Sequence, residues 1–242
     1  MSTAPAIRYN AKSHVGLKRA VNEDAVLALP EQNIWVVSDG MGGHAAGDFA
    51  SRLITDLVAT IDPHLAPSDR MHALRAAIQQ AHRHIQAEAE TRNLEVIGAT
   101  VAALMLSNAH FVAIWAGDSR IYRLREGEIQ MLTTDHSLVA SFVEAGQMTW
   151  DEAEHHPQSN QITRAVGVGD ELELDKRRGG VMPGDRFLIC SDGLTKYATF
   201  AMLRQALAVK PLETITDYLI QVALDGGGAD NVSVIVVDVA AG

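Results

Sequence analysis

Ile34-Trp35-Val36-Val37-Ser38-Asp39-Gly40-Met41-Gly42-Gly43-His44-Ala45-Ala46-Gly47-Asp48 is the stretch that decides how this chain is read. It opens on an apolar, strand-like run, passes through a carboxylate into a glycine-rich turn, and leaves as a helix. After Asp48 the residues Phe49, Leu53, Leu57 and Ile61 recur every fourth position, with Ala50, Ile54 and Val58 beside them. That is the period of an amphipathic helix. Strand, turn and helix put Asp39 at a strand tip. The sheet holds such a carboxylate still, and a glycine after it lets backbone carbonyls approach a cation closely. A lone Asp-Gly is also a common turn signal. Repetition raises it above that: Gly117-Asp118, Ser191-Asp192-Gly193 and Asp230-Asn231 each stand at an end of another apolar run.

The 242 residues bound the chain to one large domain or two small ones, and a hydrophobic share of 47% permits a sizeable core. A formal net charge of −10 disfavours nucleic acid and anionic membrane as partners. Cys190 is the single cysteine, inside the apolar run Phe187-Leu188-Ile189-Cys190. An intramolecular disulfide is therefore impossible, and a core position is expected. Met1-Ser2-Thr3-Ala4-Pro5 has no basic region followed by an apolar core, so no signal peptide is expected. No apolar run approaches the about 20 residues of a membrane helix. The expected location is the cytoplasm.

Going outward, Met71, Leu74, Ile78, Ala81 and Ile85 predict a second helix over 68 to 90, with Ser68 as N-cap. His82 and His84 on it point to different faces and read as surface residues. Glu23 and Asp24, beside an arginine, read locally as a solvated turn. From Gly98 the character becomes β: Thr100 to Leu106, His110 to Ala116, Arg120 to Leu124, and Ile129 to Leu132 after a Glu126-Gly127 turn. Short connections suggest an antiparallel sheet rather than a parallel one. Residues 135 to 160 are a polar insertion, with a short helix ended by Gly146 and another from Thr149 stopped by Pro157. Such insertions often cover an active site. Neighbouring histidines on a helix diverge, so Glu154, His155 and His156 do not read as a metal site. Glu171-Leu172-Glu173-Leu174 alternates, Arg186 to Ser191 reads as a strand, and Leu194 to Val209 as a helix. A last helix starts at Pro211 as N1, ends at Gly226-Gly227-Gly228, and leads into a β run from Val232 to Val239.

Asp39, Asp118, Asp192 and Asp230 are hard oxygen donors without a Cys or His cluster, which suits Mg²⁺ or Mn²⁺ rather than structural zinc. Carboxylates collected in one place repel each other and need cations. Two such ions can share a bridging carboxylate and acidify a water for in-line attack. Other chemistries fit worse. The position six past Cys190 is Lys196, not the arginine of a tyrosine-phosphatase loop. No phosphate loop of Walker type, H-E-x-x-H helix or G-x-S-x-G elbow is present.

Arg19-x-x-Asn22-Glu23-Asp24, Ser38-Asp39-Gly40-Met41-Gly42-Gly43-His44, Gly117-Asp118-Ser119-Arg120, Ser191-Asp192-Gly193-Leu194 and Asp230-Asn231 occur in this order. The series resembles that of the metal-dependent protein phosphatases, the protein phosphatase 2C (PPM) type, in compact bacterial form, over about residues 7 to 239. The resemblance implies an α+β fold: a four-layer α-β-β-α sandwich of two packed antiparallel sheets flanked by helices. It implies a single catalytic domain over 1–242 with a flap subdomain at about 135–165.

By the same resemblance Asp39 would bridge two metals, the carbonyl of Gly40 would bind one, and Asp192 and Asp230 the other. Asp118, with Asp192, would make a third, weaker site. Glu23 and Asp24 match the acidic pair that reaches the metals largely through water, and Asn231 and Ser119 would support. Arg19 would bind the substrate phosphate, where its planar fork suits two oxygens. His44 is the candidate to protonate the leaving oxygen; it stands after Met41-Gly42-Gly43 rather than beside the Asp-Gly. Ala99 in Gly98-Ala99-Thr100 and Ser233 depart slightly from the family pattern.

The implied activity is a serine/threonine phosphoprotein phosphatase using Mn²⁺ or Mg²⁺, in which a water activated between the ions attacks phosphorus directly. The implied partners are phosphorylated proteins and a cognate Ser/Thr kinase encoded elsewhere, with type VI secretion as one setting. A monomer is expected, without nucleic acid or membrane. The other class is a regulatory protein-binding module that keeps the fold with little catalysis.

Overall fold

The computed structural model describes residues 6–42, 45–107 and 109–240. Eleven strands and seven helices follow in chain order among these residues. The first are β1 (Ile7–His14), β2 (Asp24–Leu29), β3 (Ile34–Met41), α1 (Ala45–Ala59) and α2 (Pro67–Arg92). The middle holds β4 (Gly98–Ala99), β5 (Val101–Leu106), β6 (His110–Ala116), β7 (Arg120–Arg125), β8 (Glu128–Met131), α3 (Ala140–Glu144) and α4 (Trp150–Ala153). The last are β9 (Asp175–Gly180), β10 (Arg186–Cys190), α5 (Asp192–Thr195), α6 (Phe200–Val209), α7 (Leu212–Asp225) and β11 (Val232–Val239).

Two antiparallel sheets stack face to face. One runs β1-β11-β10-β7-β8; the other runs β2-β3-β5-β6-β9, with β4 on β3. The pleat sorts each central strand between two apolar layers. In β3, Ile34 and Val36 pack with α1 and α2 through Ile54, Val58, Leu74 and Ile78. Trp35 and Val37 turn the other way, onto Phe187, Ile189, Ile235 and Val237 of the facing sheet. Leu188, Val234 and Val236 then bury against Leu203 of α6 and Ile215 and Leu219 of α7. Helices, sheet, sheet, helices is the four-layer sandwich the resemblance implies. With both faces covered, these strands read as unbroken apolar runs rather than alternations. Each fully buried aliphatic side chain contributes about 1.5–3 kcal/mol. Cys190 is buried and unpaired, as expected of a core residue. No helix among the described residues is long and apolar enough to cross a membrane.

The structure corrects several local readings. The strands between Thr100 and Leu132 pair antiparallel as expected, but they divide between the two sheets. β5 and β6 pair in one, β7 and β8 in the other. The crossing is made at Gly117, whose φ is +107° and where an added Cβ would lie 2.6 Å from the Thr100 side chain, which excludes a larger residue. Turn signals say that the chain reverses, not which sheet it joins. α2 starts at Pro67 with Ala66 as N-cap, so Ser68 lies inside the first turn. Proline is tolerated there because that N–H has no helical partner. Pro211 stands at the N-cap of α7 rather than at N1.

His82 is not a surface residue: it is 4% exposed, and its Nδ1 accepts the Gly167 N–H at 2.9 Å. Leu194 to Val209 is two helices, because Thr199 caps α6 through the Met202 N–H at 3.3 Å. Leu172 and Leu174 do alternate into the core, but the ladder begins only at Asp175. In the insertion the two predicted helices are present, the second with a Thr149–Glu152 capping box but ending at Ala153, short of Pro157.

Candidate metal and phosphate site

β3 delivers Asp39 opposite Asp24 of β2. Thr100 locks that tip. Its N–H donates to the Asp39 carbonyl at 2.8 Å, and its Oγ1 accepts the Asp39 N–H at 3.0 Å. Thr100 Oγ1 and Ser119 Oγ lie 2.7 Å apart, which ties the Asp39 tip to the residue after Asp118. Gly40 is the point of closest approach. A Cβ there would lie 2.1 Å from the Gly47 carbonyl oxygen and 2.7 Å from that of Glu23. The start of α1 is thus pressed onto the strand end, and a side chain would hold it off. Glu23 and Asp24 leave the solvated-turn reading behind. Gly40 N–H and Ser51 Oγ both donate to the Glu23 carbonyl, at 3.1 and 2.6 Å. Asp24 is buried and accepts from Ser191 Oγ at 2.8 Å.

Asp192 is the first residue of α5, straight after β10, and Asp230 precedes β11. The two loops interlock, since a Cβ on Gly193 would meet the Asn231 carbonyl oxygen at 1.9 Å. Asn231 is buried and clamps the Arg19–Glu23 segment. Its Nδ2 donates to the carbonyls of Val15 and Val21 at 2.9 and 3.0 Å, and its Oδ1 accepts the Glu23 N–H at 2.8 Å.

These elements leave a cavity of about 390 Å³ lined by Asp39, Gly40, Asp118, Asp192 and Asp230, with Glu23 and Asn231. Arg19 and Lys196 line it too, as do Asn160 and Ile162 of the insertion. Every expected ligand position therefore faces one space, although the four aspartates come from four separate parts of the chain. His44 lies outside the described residues.

The electrostatics are those of an acid cluster. Burial first, then the neighbouring aspartates, push the carboxyls of Asp39 and Asp118 well above the usual range. Burial pushes Asp24 up to about 7, against the hydrogen bonds of Ser233 and Ser191. Two cations offset part of the charge. Arg19 Nη2 donates to Asp230 Oδ2 at 2.9 Å, and Lys196 Nζ meets Asp192 Oδ2 at 2.9 Å and Asp230 Oδ2 at 3.5 Å. Among the described residues no three acids, histidines or cysteines stand close enough to grip one ion as placed. The donor set nonetheless fits divalent cations. It is all oxygen, it repels itself, and Asp24 Oδ1 and Asp192 Oδ1 are buried without a hydrogen-bond partner.

The insertion is anchored beside this cavity by a buried ion cluster. Arg120 Nε and Nη2 donate to Asp135 Oδ1 and Oδ2 at 2.9 and 2.6 Å, and Arg120 Nη1 meets Glu154 at 2.8 Å. The Trp150 ring covers the guanidinium at 5.0 Å. Glu154 thus serves an ion pair, in keeping with the rejection of a metal site there.

Sequence reading missed Lys196, Thr100 and the Arg120 cluster. Lys196 stands four residues after Asp192, a spacing that pairs side chains across one helical turn. That signal was present in the chain. The Thr100 and Asp135 contacts have no local signature.

Comparison with known proteins follows the same lines. The sequence model of the family described as protein phosphatase 2C matches residues 12–232. The serine/threonine protein phosphatase PstP of Mycobacterium tuberculosis is 38% identical over 234 residues, which is 96% of this chain and 45% of PstP. This chain thus spans about half the length of that relative. Protein phosphatase PhpP of Streptococcus pneumoniae is 36% identical, over 92% of this chain and 94% of PhpP. Among solved structures, PppA, described as a key regulatory component of T6SS in Pseudomonas aeruginosa, superposes with a TM-score of 0.88 at 40% identity, covering 96% of this chain and 97% of PppA. The PstP catalytic domain, solved in complex with 2 manganese ions, gives 0.87 at 37% identity, covering 97% and 98%. With a match that runs through both sheets and the segments lining the acidic cavity, this chain belongs to the protein phosphatase 2C family.

Proposed function

We propose that the chain is a metal-dependent serine/threonine phosphoprotein phosphatase. The observation that supports this most is convergence: Asp39, Asp118, Asp192 and Asp230 line one cavity with Arg19. In this reading Asp39, the Gly40 carbonyl, Asp192 and Asp230 hold two Mn²⁺ or Mg²⁺ ions, and Asp118 with Asp192 a third, weaker one. Glu23, Asp24 and Asn231 support that set from behind. When bound, the ions supply positive charge for the phosphoryl oxygens and acidify a water for in-line attack.

The chain's own residues do the rest. A phosphate monoester is an anion, and the bare aspartates would repel it, so the cavity must be neutralised before substrate enters. In this reading Arg19, half exposed and paired with Asp230, forks onto two phosphate oxygens and sets the angle of approach. Asn160 and Ile162 form the wall on the insertion side, where the rest of a phosphoprotein would lie. His44 is proposed to protonate the departing serine or threonine oxygen.

Substrates would be phosphorylated proteins, with a Ser/Thr kinase as the opposing activity. Likeness to PppA supports a role in regulating type VI secretion. The proposed state is a cytoplasmic monomer that binds neither nucleic acid nor membrane. The test is hydrolysis of an aryl phosphate and of a phosphothreonine peptide with Mn²⁺, with chelator, and in Asp39→Asn. Turnover that survives either chelation or that substitution refutes the proposal.

A further inference from the structure

Lys196 is the residue in the cavity that the reading above leaves without a role. It follows α5, one helical turn after Asp192, and its N–H donates to the Asp192 carbonyl at 3.0 Å. The ammonium bridges two carboxylates, at 2.9 Å from Asp192 Oδ2 and 3.5 Å from Asp230 Oδ2. Its side chain is only 20% exposed, so the charge is drawn into the cavity rather than left in solvent. The corner that holds it is stiff, because Gly193 is pressed against the Asn231 carbonyl. Arg19 donates to the same Asp230 oxygen at 2.9 Å.

An ammonium between two aspartates does part of what a divalent ion would do there. It cancels like charge at short range. It does so with one charge and by hydrogen bonds. An ion held by Asp192 and Asp230 would have to replace those contacts, and the freed ammonium would carry the same sign of charge as the ion. Both effects weaken ion binding at this corner. Lys196 makes no ion pair with Asp39, so the Asp39–Gly40 end is spared the displacement. We propose that Lys196 is a resident competitor for the divalent cation at Asp192 and Asp230. It holds the two carboxylates together before the ion arrives, and it raises the ion concentration at which that corner fills. This rests on the metal-site reading given under Proposed function.

The test is calorimetric titration of the chelator-treated full chain with Mn²⁺, alongside thermal unfolding with and without the ion. The variants are Lys196→Met, Lys196→Gln, Asp39→Asn and Asp192→Asn. Lys196→Met is expected to bind the Mn²⁺ that depends on Asp192 at least about tenfold tighter, which is about 1.4 kcal/mol. Its Tm without metal is expected to fall, and the rise in Tm on saturation to exceed that of the wild type. Lys196→Gln carries the same expectation and decides the matter where the Met variant does not fold. Unchanged or weaker Mn²⁺ binding in the Lys196 variants, with wild-type binding that depends on Asp39 and Asp192, overturns the competitor role alone. Wild-type binding that is absent, or indifferent to both aspartates, overturns the metal site and this inference with it.

Discussion

Replacing Arg120 with Met removes one cation from a buried corner and leaves two carboxylates behind. Arg120, Asp135 and Glu154 have side-chain exposures of 6%, 4% and 11%, so neither acid can swing out to water. Removing one partner of a buried pair costs about 3–5 kcal/mol, whereas an exposed pair contributes about 0–1 kcal/mol. Arg120 lies on β7 and both acids lie in the insertion, so the cost falls where the insertion docks. Urea unfolding at pH 8 should show a loss of about 3–5 kcal/mol, a large share of the about 5–15 kcal/mol of a typical domain. At pH 5 the loss should be smaller. Burial already raises Asp135 and Glu154, and without Arg120 they would rise further. A folded carboxyl that binds its proton more tightly than the unfolded one contributes stability at low pH, lost as pH rises through the folded pKa. Adding Asp135→Asn and Glu154→Gln to Arg120→Met should restore most of the loss. A single-variant loss under about 1 kcal/mol would refute the buried-pair reasoning, because that is the surface-pair range.

Gly40→Ala should cost about 1–3 kcal/mol by overpacking, read from a shifted urea midpoint, because its Cβ would meet the Gly47 carbonyl at 2.1 Å. Wild-type stability would mean that α1 moves aside freely. Arg19→Ala should mainly raise KM for phosphate esters; an unchanged KM removes its phosphate role. Asp192→Asn should lower Mn²⁺-dependent kcat by about 100-fold or more, the size of losing one preorganised electrostatic contact in an active site. A variant that turns over at the wild-type rate would take Asp192 out of the ligand set. Burial holds the His82 pKa below its usual 6.5. The unfolded chain then takes up a proton that the folded one refuses, so stability is full above pH about 6.5 and falls below it. His82→Gln should flatten the difference in Tm between pH 5 and 7.5, and an unchanged slope would place the acid sensitivity elsewhere.

Local physics was legible along the chain. Helical period marked α1 and α7, and the apolar run marked β11 to the residue. The acidic motifs were legible as well, because Asp beside Gly or Asn at the end of an apolar run is a short pattern. What failed was decided by distant partners. β1 and β11 pair although they lie at opposite ends of the chain, and the Gly117 crossing sends β7 to the other sheet. His82 looked like a polar helix residue, and only the packing of Gly167 against it makes it a buried acceptor. β9 carries Asp175, Lys176, Arg177 and Arg178, a composition that conceals a strand until β6 is there to pair with it.

The sequence by itself determined the donor chemistry, the order of the motifs and most helices and strands, since residue type and period act over a few positions; the layered α+β architecture came only through the resemblance those motifs carry. Only the tertiary structure decided which charges meet: Arg19 and Lys196 on Asp230 inside the cavity, and Arg120 on Asp135 and Glu154 beside it. Coulomb and hydrogen-bond partners are chosen by distance in space, and for these residues that distance is set by two stacked sheets rather than by the chain between them.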